Sequence, residues 1–151
     1  MYPAKTHTAQ RNHPPSIGAL IRTHRRRKRL TQIELAAAAQ VSPTTVRNLE
    51  RGRGRLSSFG KIIRALSLQL LLDGSTHTPL LRLRGVRERA DYSLRFVSAR
   101  MRVSRRSLSA LESGGPGRLE TLVDYAAAIS AVLTIAPRAR KKQPPDRIPR
   151  D

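Results

Sequence analysis

Four hydrogen-bonding side chains are concentrated in the stretch VSPTTVRNLERG, which runs from Val41 to Gly52: Thr44, Thr45, Arg47 and Asn48. Threonine can contact a thymine methyl group or a phosphate, asparagine pairs with adenine, and arginine pairs with guanine or a phosphate. These residue types at this density therefore indicate recognition of a nucleic acid by hydrogen bonding.

The signals around these side chains predict a short helix that presents them outward. Ser42 is a suitable N-cap, and Pro43 suits the first helical turn because no hydrogen bond needs its missing N–H. Gly52 is suited to end the helix, since glycine readily adopts the left-handed conformation. Only Val46 and Leu49 are spaced to face a core, so the rest of the surface is polar.

The elements before this helix complete a recognisable arrangement. Ser16 is a candidate cap for a first helix, and Thr31 and Glu34 are spaced as a capping box for a second one. Two short helices joined by a tight turn describe a helix-turn-helix. In such a motif the outward residues of the later helix enter the major groove of DNA.

Composition supports a polyanionic partner. The 151 residues contain 30 Lys and Arg against 10 Asp and Glu, a net charge of +20, and such a field attracts nucleic acid or an anionic surface. The other interpretation is a merely solvated, highly charged surface. The chain has no cysteine, and its four histidines lack the spacing of metal ligands, so we expect no metal and no cofactor. Acidic residues are few and form no grouping with a nucleophile, so we expect no enzyme.

The two ends of the chain differ from its middle. Residues 1–15 and 137–151 are rich in proline and poor in apolar side chains, so we predict a flexible arm and a basic flexible tail. The tail is suited either to bind phosphates or to be solvated. The chain lacks an apolar span and the apolar region of a signal peptide, so we expect no membrane association and a cytoplasmic location.

The segment IRTHRRRKRLTQIELAAAAQVSPTTVRNLERG resembles the Xre/Cro-like family of phage-repressor-type helix-turn-helix domains. The resemblance is carried by an "LTQ..LA" opening and a "VS...V..LE.G" recognition helix. It implies that Gln32 binds a DNA phosphate and that Arg25 pairs with Glu50. The DNA-binding residues that we predict from it are Gln32, Ser42, Thr44, Thr45, Arg47 and Asn48. The glutamine usual at the start of the recognition helix is Pro43 here, which alters the expected base contacts.

A second, divergent copy follows at a shift of 62 residues, which superposes Val41–Ser42 on Val103–Ser104 and Glu50 on Glu112. Chance similarity between helical segments is the competing interpretation, but several identities in one register favour duplication. In this copy Leu94 replaces Gln32, so one phosphate contact is expected to be missing. The DNA-binding residues that we predict here are Arg105, Arg106, Ser107 and Ser109. Beyond Gly114 the two copies need one extra residue to stay aligned.

We therefore predict an all-α fold of two tandem five-helix helix-turn-helix domains joined by a small two-strand sheet. The predicted boundaries are an arm over 1–15, domains over 16–74 and 80–136, a linker over 75–79, and a tail over 137–151. Each domain is too small for a large core, and its apolar strand would be an exposed edge if left unpaired. We expect "LQLLL" at 68–72 to pair with "VLTIA" at 132–136, an arrangement that resembles the dimer of HipB-type antitoxins. The other interpretation is that "LQLLL" continues the preceding helix, which we expect to begin near Ser57 or Ser58.

The sequence leaves several functions open. The first is a double-stranded DNA-binding transcriptional regulator, acting as a repressor or activator, either as a monomeric pseudo-dimer or as a homodimer. The second is an antitoxin that binds its own operator and a toxin, so a protein partner is also considered. A third, nucleoid-type or RNA-binding role is poorly supported because the chain has only three Tyr, two Phe and no Trp for base stacking.

Overall fold

The computed structural model describes residues 15–72, 75–76 and 83–139. Eight helices and three strands lie in these ranges: α1 Ile17–Arg27, α2 Gln32–Ala39, α3 Pro43–Glu50, α4 Leu56–Ala65, β1 Leu68–Leu72, β2 Ser75–Thr76, α5 Leu83–Arg89, α6 Leu94–Met101, α7 Arg105–Glu112, α8 Leu119–Ala128 and β3 Leu133–Pro137. The predicted arm, apart from Pro15, and the tail beyond residue 139 lie outside the described residues.

The predicted helix starts are confirmed in the first half. The Ser16 hydroxyl accepts a hydrogen bond from Ala19 N at 3.2 Å and caps α1. Thr31 and Glu34 form the predicted capping box of α2, with bonds of 3.1 and 2.7 Å. Ser42 caps α3 in the same way, and Pro43 occupies the first turn. These local signals predict the start of α3, which ends at Glu50, two residues before Gly52.

The second half contains the same types of cap. Ser93 accepts from Phe96 N at 3.1 Å at the start of α6, and Ser104 accepts from Ser107 N at 3.0 Å at the start of α7. Helices α2 and α6 both end on a residue with a left-handed backbone, Gln40 and Arg102. The described parts of both halves thus have four helices followed by a strand.

Helix α4 begins one residue before Ser57, close to its predicted start near Ser57 or Ser58. Its first residue is Leu56, and its N-cap Arg55 makes no side-chain capping bond, so neither Ser57 nor Ser58 starts the helix. The Leu56 N–H instead donates to Gly117 O, 2.9 Å away in the second half of the chain. A tertiary contact therefore satisfies an N–H at the start of this helix.

The predicted pairing of the two apolar strands is confirmed. Residues 68–72 form strand β1 and do not continue α4. Ser67, directly before the strand, has a left-handed backbone that turns the chain there. Strand β1 pairs antiparallel with β3, with Leu71 opposite Thr134, and β3 lies one residue later than the predicted 132–136. The two-residue strand β2, in the predicted linker, adds to the other edge in the order β2-β1-β3.

The number of helices per domain is corrected. Within the described ranges each half has four helices and not five, and its last helix is followed by β1 or β3. The buried apolar side chains of both halves form one continuous core. Leu68, Leu70 and Leu72 alternate along β1 and bury one face of the sheet against that core. This shared core fixes the helices that carry the predicted site.

Candidate nucleic-acid interface

Helix α3 buries two apolar side chains and exposes most of its polar ones. Val46 and Leu49 are fully buried, whereas Thr44, Arg47 and Asn48 are exposed. The last three lie at positions i, i+3 and i+4, so they share one face of the helix. The structure therefore brings together three of the predicted residues as an outward-facing polar surface.

The predicted residues Ser42 and Thr45 have a different immediate role. The Ser42 hydroxyl accepts from Thr45 N at 3.1 Å, and the two hydroxyl oxygens are 2.9 Å apart. Thr45 is half-buried. Both hydroxyls are thus engaged in closing the first turn of α3, which holds its exposed side chains in place.

An ion pair fastens α3 to α1, as the resemblance implied. Arg25 Nε donates to Glu50 Oε1 at 2.5 Å, and both side chains are largely buried. Arg25 also donates to Leu30 O at 2.7 Å, which adds the turn before α2 to the same network. Burial raises the pKa of Glu50, but hydrogen bonds from Arg25 and Gln32 and the nearby arginine charges outweigh it, so the pKa is lowered. Glu50, the last residue of α3, therefore stays charged and anchors this helix to α1.

Gln32 belongs to this network. Its side-chain N–H donates to Glu50 Oε2 at 2.8 Å, and the residue is half-buried at the first position of α2. With the residues that the structure describes, its side-chain amide forms no second hydrogen bond. The predicted phosphate contact of Gln32 stays a prediction, and the structure adds a role in orienting Glu50.

The second half contains an equivalent ion pair with a different third member. Arg87 donates to both carboxylate oxygens of Glu112, at 2.6 and 3.1 Å, and to Tyr92 O at 2.8 Å. The hydroxyl of Tyr125 donates to Glu112 Oε1 at 2.8 Å, just as the side chain of Gln32 donates to Glu50 in the first half. The hydrogen bond to Glu112 raises the pKa of Arg87, and burial, followed by Glu112, strongly raises that of Tyr125.

Tyr125 was not among the predicted residues. It is fully buried on α8, at the position that Ile62 occupies on α4. The sequence signal was a single aromatic residue with a hydroxyl within the apolar run LETLVDYAAAIS. A buried tyrosine hydroxyl needs a hydrogen-bond partner, but the sequence does not show which one.

Helix α7 presents the predicted residues of the second half. Arg105, Arg106, Ser107 and Ser109 are all exposed, while Leu108 and Leu111 are buried beneath them. The hydroxyl oxygens of Ser107 and Ser104 are 2.8 Å apart, which repeats the Ser42–Thr45 contact. The outer face of α7 is thus more basic than that of α3, with two arginines at its start and short serine side chains after them.

Free positive charge continues beyond α3. Arg47, Arg51, Arg53 and Arg55 are exposed, and none of them forms an ion pair with another described residue. Unpaired guanidinium groups bind phosphate bidentately at a lower desolvation cost than ammonium groups. These four arginines are therefore suited to bind the phosphate backbone of a nucleic acid.

No group of three or more His, Cys, Asp or Glu residues in the described ranges is arranged to hold a metal ion. No helix in the same part of the chain is long and apolar enough to cross a membrane.

A family model described as a helix-turn-helix domain matches residues 16–75, which contain α1 to α4, β1 and the start of β2. No curated protein and no solved structure matches the chain. Residues 16–75 therefore form a helix-turn-helix domain, the class of domain that DNA-binding regulators use to enter the major groove.

Proposed function

We propose that this protein is a sequence-specific, double-stranded DNA-binding transcriptional regulator that carries two helix-turn-helix units in one chain. The observation that carries the proposal is the exposed face of α3, with Thr44, Arg47 and Asn48 on a helix fixed from below by the Arg25–Glu50 ion pair. A protein that reads duplex DNA acts where the DNA is, so the proposal includes a cytoplasmic location.

Helix ends and ion pairs support the second unit of this proposal. At the shift of 62 residues, Arg25 and Glu50 correspond to Arg87 and Glu112, and each arginine also bonds the carbonyl five residues later. Residues with a left-handed backbone recur at the same shift, with Gln40 matching Arg102. Such agreement in ion pairs and backbone conformation favours two copies of one unit.

The contacts between the halves support a pseudo-two-fold relation. After the extra residue the shift is 63, so Leu56 corresponds to Leu119 and Gly54 to Gly117. Leu56 N donates to Gly117 O at 2.9 Å, and Leu119 N donates to Gly54 O at 2.8 Å. Each bond is therefore the counterpart of the other, which is the reciprocity of an interface between two-fold related subunits.

The consequence is a pseudo-dimer whose two reading helices differ. Family members with one unit dimerise and read two half-sites about 34 Å apart. Here one chain supplies α3 and α7, whose exposed side chains are not alike. We infer that a monomer reads a non-palindromic site, with a homodimer of four units as the competing assembly.

One observation also favours a second candidate function. The antiparallel pairing of β1 with β3 is the feature that resembles HipB-type antitoxins. Under this candidate the protein also binds a toxin. Co-purification of a protein encoded next to this gene, at a fixed ratio, distinguishes the antitoxin from a regulator that binds DNA alone.

The proposed function is tested by selecting a site from random duplex DNA and measuring affinity for it. Arg47→Ala and Asn48→Ala should each weaken binding by about 1–3 kcal/mol and relax preference at a few base pairs. Arg64→Ala is the matched control, because it removes one exposed positive charge from α4 and leaves α3 intact. Wild-type affinity and preference in both α3 variants would contradict the assignment of α3 as the reader.

A further inference from the structure

The outward faces of α2 and α6 lie at equivalent places in the two halves but carry different side chains. At the shift of 62 residues the exposed positions correspond in four pairs: Ile33 with Arg95, Glu34 with Phe96, Ala37 with Ala99 and Ala38 with Arg100. Because residues three and four apart share one face of a helix, each set forms a continuous surface. We call these surfaces the α2 face and the α6 face, and none of their residues was assigned to DNA binding.

The α2 face is apolar and carries a single negative charge. The side chain of Ile33 is 69% exposed, and Ala37 lies one turn further along the helix. Glu34 accepts from Thr31 N at 2.7 Å, and the hydrogen bonds from Thr31 lower its pKa, so this carboxylate is charged at neutral pH. The face therefore contrasts with the net charge of +20 on the whole chain.

The α6 face is aromatic and positively charged. Phe96 is 45% exposed, and its ring stacks on that of Tyr92 with 5.3 Å between the two centroids. The guanidinium carbon of Arg100 lies 5.9 Å from the centroid of the Phe96 ring, within the range of a cation–π contact. Neither Arg95 nor Arg100 forms an ion pair with another described residue. Aromatic side chains and arginine are enriched in protein interfaces, so this face has the composition of a docking surface.

The two faces complement each other, whereas neither complements itself. Contact between an α2 face and an α6 face places Ile33 against the aromatic pair and brings the charge of Glu34 to the arginines. Contact between two α6 faces would bring arginines together, and contact between two α2 faces would oppose two carboxylates. Like charges across an interface disfavour it, so the charges select the contact between unlike faces.

We propose that this chain associates head to tail, with the α2 face of one copy docked on the α6 face of a second copy. The pseudo-two-fold relation between the halves places the two faces on opposite sides of its axis. A contact between unlike faces leaves one face free at each end, so it can extend into a row of chains. This inference goes beyond the proposed function, because the contact itself needs no DNA.

The size of the two faces predicts a weak contact in solution. Helices α2 and α6 have eight residues each, so the contact is smaller than the interface of a stable complex. Two chains bound side by side on one duplex are held at a high effective concentration, so a weak contact is sufficient there. The test therefore traps the contact covalently.

Single thiols can trap the contact, since the chain has no cysteine. Ala37→Cys and Ala99→Cys each place one thiol at the equivalent exposed position of the two faces. In air, a mixture of the two full-length variants should form the mixed disulfide about fivefold faster than either variant links to itself, the factor that corresponds to about 1 kcal/mol between the contacts. A mass tag on one variant separates the three linked pairs on a non-reducing gel.

Further substitutions check that the faces themselves cause the excess of mixed disulfide. Ile33→Ser added to the α2-face thiol variant, or Phe96→Ser added to the α6-face one, should abolish it. Glu34→Gln should reduce it and keep the capping box, in which glutamine also serves. Val123→Ser is the matched control, because it removes an exposed valine from α8, outside both faces. Far-UV circular dichroism of each variant checks that it is folded.

The outcomes separate this inference from the proposed function. Equal rates for mixed and like pairs, or an excess that neither serine variant changes, would overturn the head-to-tail contact. Because the experiment contains no DNA, that result would leave the proposed function standing. A selective trap in a protein with no selectable duplex site would support the contact and overturn the proposed function alone.

Discussion

Replacing Tyr125 by phenylalanine removes one hydroxyl group from the most buried part of the second half. The hydroxyl oxygen lies 2.8 Å from Glu112 Oε1 and 3.0 Å from Leu83 O, so its single proton is shared between two acceptors. The Tyr125 side chain is fully buried, and Glu112 is 6% exposed, so water cannot replace the lost donor.

The expected loss of stability depends on the hydrogen bonds that Glu112 keeps after the Tyr125 hydroxyl is removed. A hydrogen bond to a charged group contributes about 1.5–3 kcal/mol to stability. The carboxylate of Glu112 still accepts two bonds from Arg87, so it is not left as an isolated buried charge. We therefore expect Tyr125→Phe to lower the free energy of unfolding by about 1.5–3 kcal/mol, below the roughly 3–5 kcal/mol of a broken buried ion pair.

Urea unfolding of the full chain, followed by circular dichroism, measures this difference. The midpoint should fall while the slope with urea stays unchanged, since the surface exposed on unfolding is the same. Tyr92→Phe is the matched control, because it removes the hydroxyl of a half-buried tyrosine that stacks on Phe96 with its ring. Equal stabilities for wild type and Tyr125→Phe would refute the assignment of Tyr125 as a stabilising donor to Glu112.

Further predictions concern packing, pH and salt. Gly18→Ala should destabilise the fold by about 1–3 kcal/mol, since the new Cβ would collide with the backbone at Glu50, whereas the Cβ of Gly60→Ala meets open space and should stabilise α4 by about 0.5–1 kcal/mol. Urea unfolding compares the two variants, and equal changes in stability would contradict the close packing of α1 on α3. The pKa of Glu50 is lowered in the folded state, so the stability that this carboxylate contributes is complete above the ordinary pKa of 4.5 and is lost as pH falls through the folded-state pKa. Wild type should therefore lose stability below pH 4.5 more steeply than Glu50→Gln when unfolding is measured along an acid titration. Parallel curves for the two proteins would contradict this. DNA binding should weaken with salt at a slope that corresponds to roughly 6–10 released counterions, and deletion of residues 140–151, which leaves β3 intact, should reduce the slope if the tail binds phosphates; an unchanged slope would assign the tail to solvent.

The local parts of the fold could be predicted from the sequence. Ser16, Ser42 and the Thr31–Glu34 box are capping signals that act within one turn, so the helix starts they predict are confirmed. The Arg25–Glu50 pair was implied by resemblance and is also confirmed. These features depend on neighbours in the chain or on a pattern that the segment shares with a family.

The features that could not be predicted depend on residues distant in the sequence. The Leu56 N–H at the start of α4 donates to Gly117 O, and no residue near Leu56 reveals that partner. The same holds for Tyr125, which takes a place at Glu112 that Gln32 takes at Glu50 from a different helix. Capping and spacing rules describe one chain segment at a time and do not include such exchanges.

The mass of the complex on a selected site, measured together with the symmetry of that site, tests the pseudo-dimer most directly. The exposed face of α3 carries Thr44, Arg47 and Asn48, whereas that of α7 carries Arg105, Arg106 and Ser109, so the two half-sites should differ. We predict one chain on a non-palindromic site of about 15–20 base pairs, with half-sites one helical turn apart. Two chains on a perfect palindrome would contradict the account.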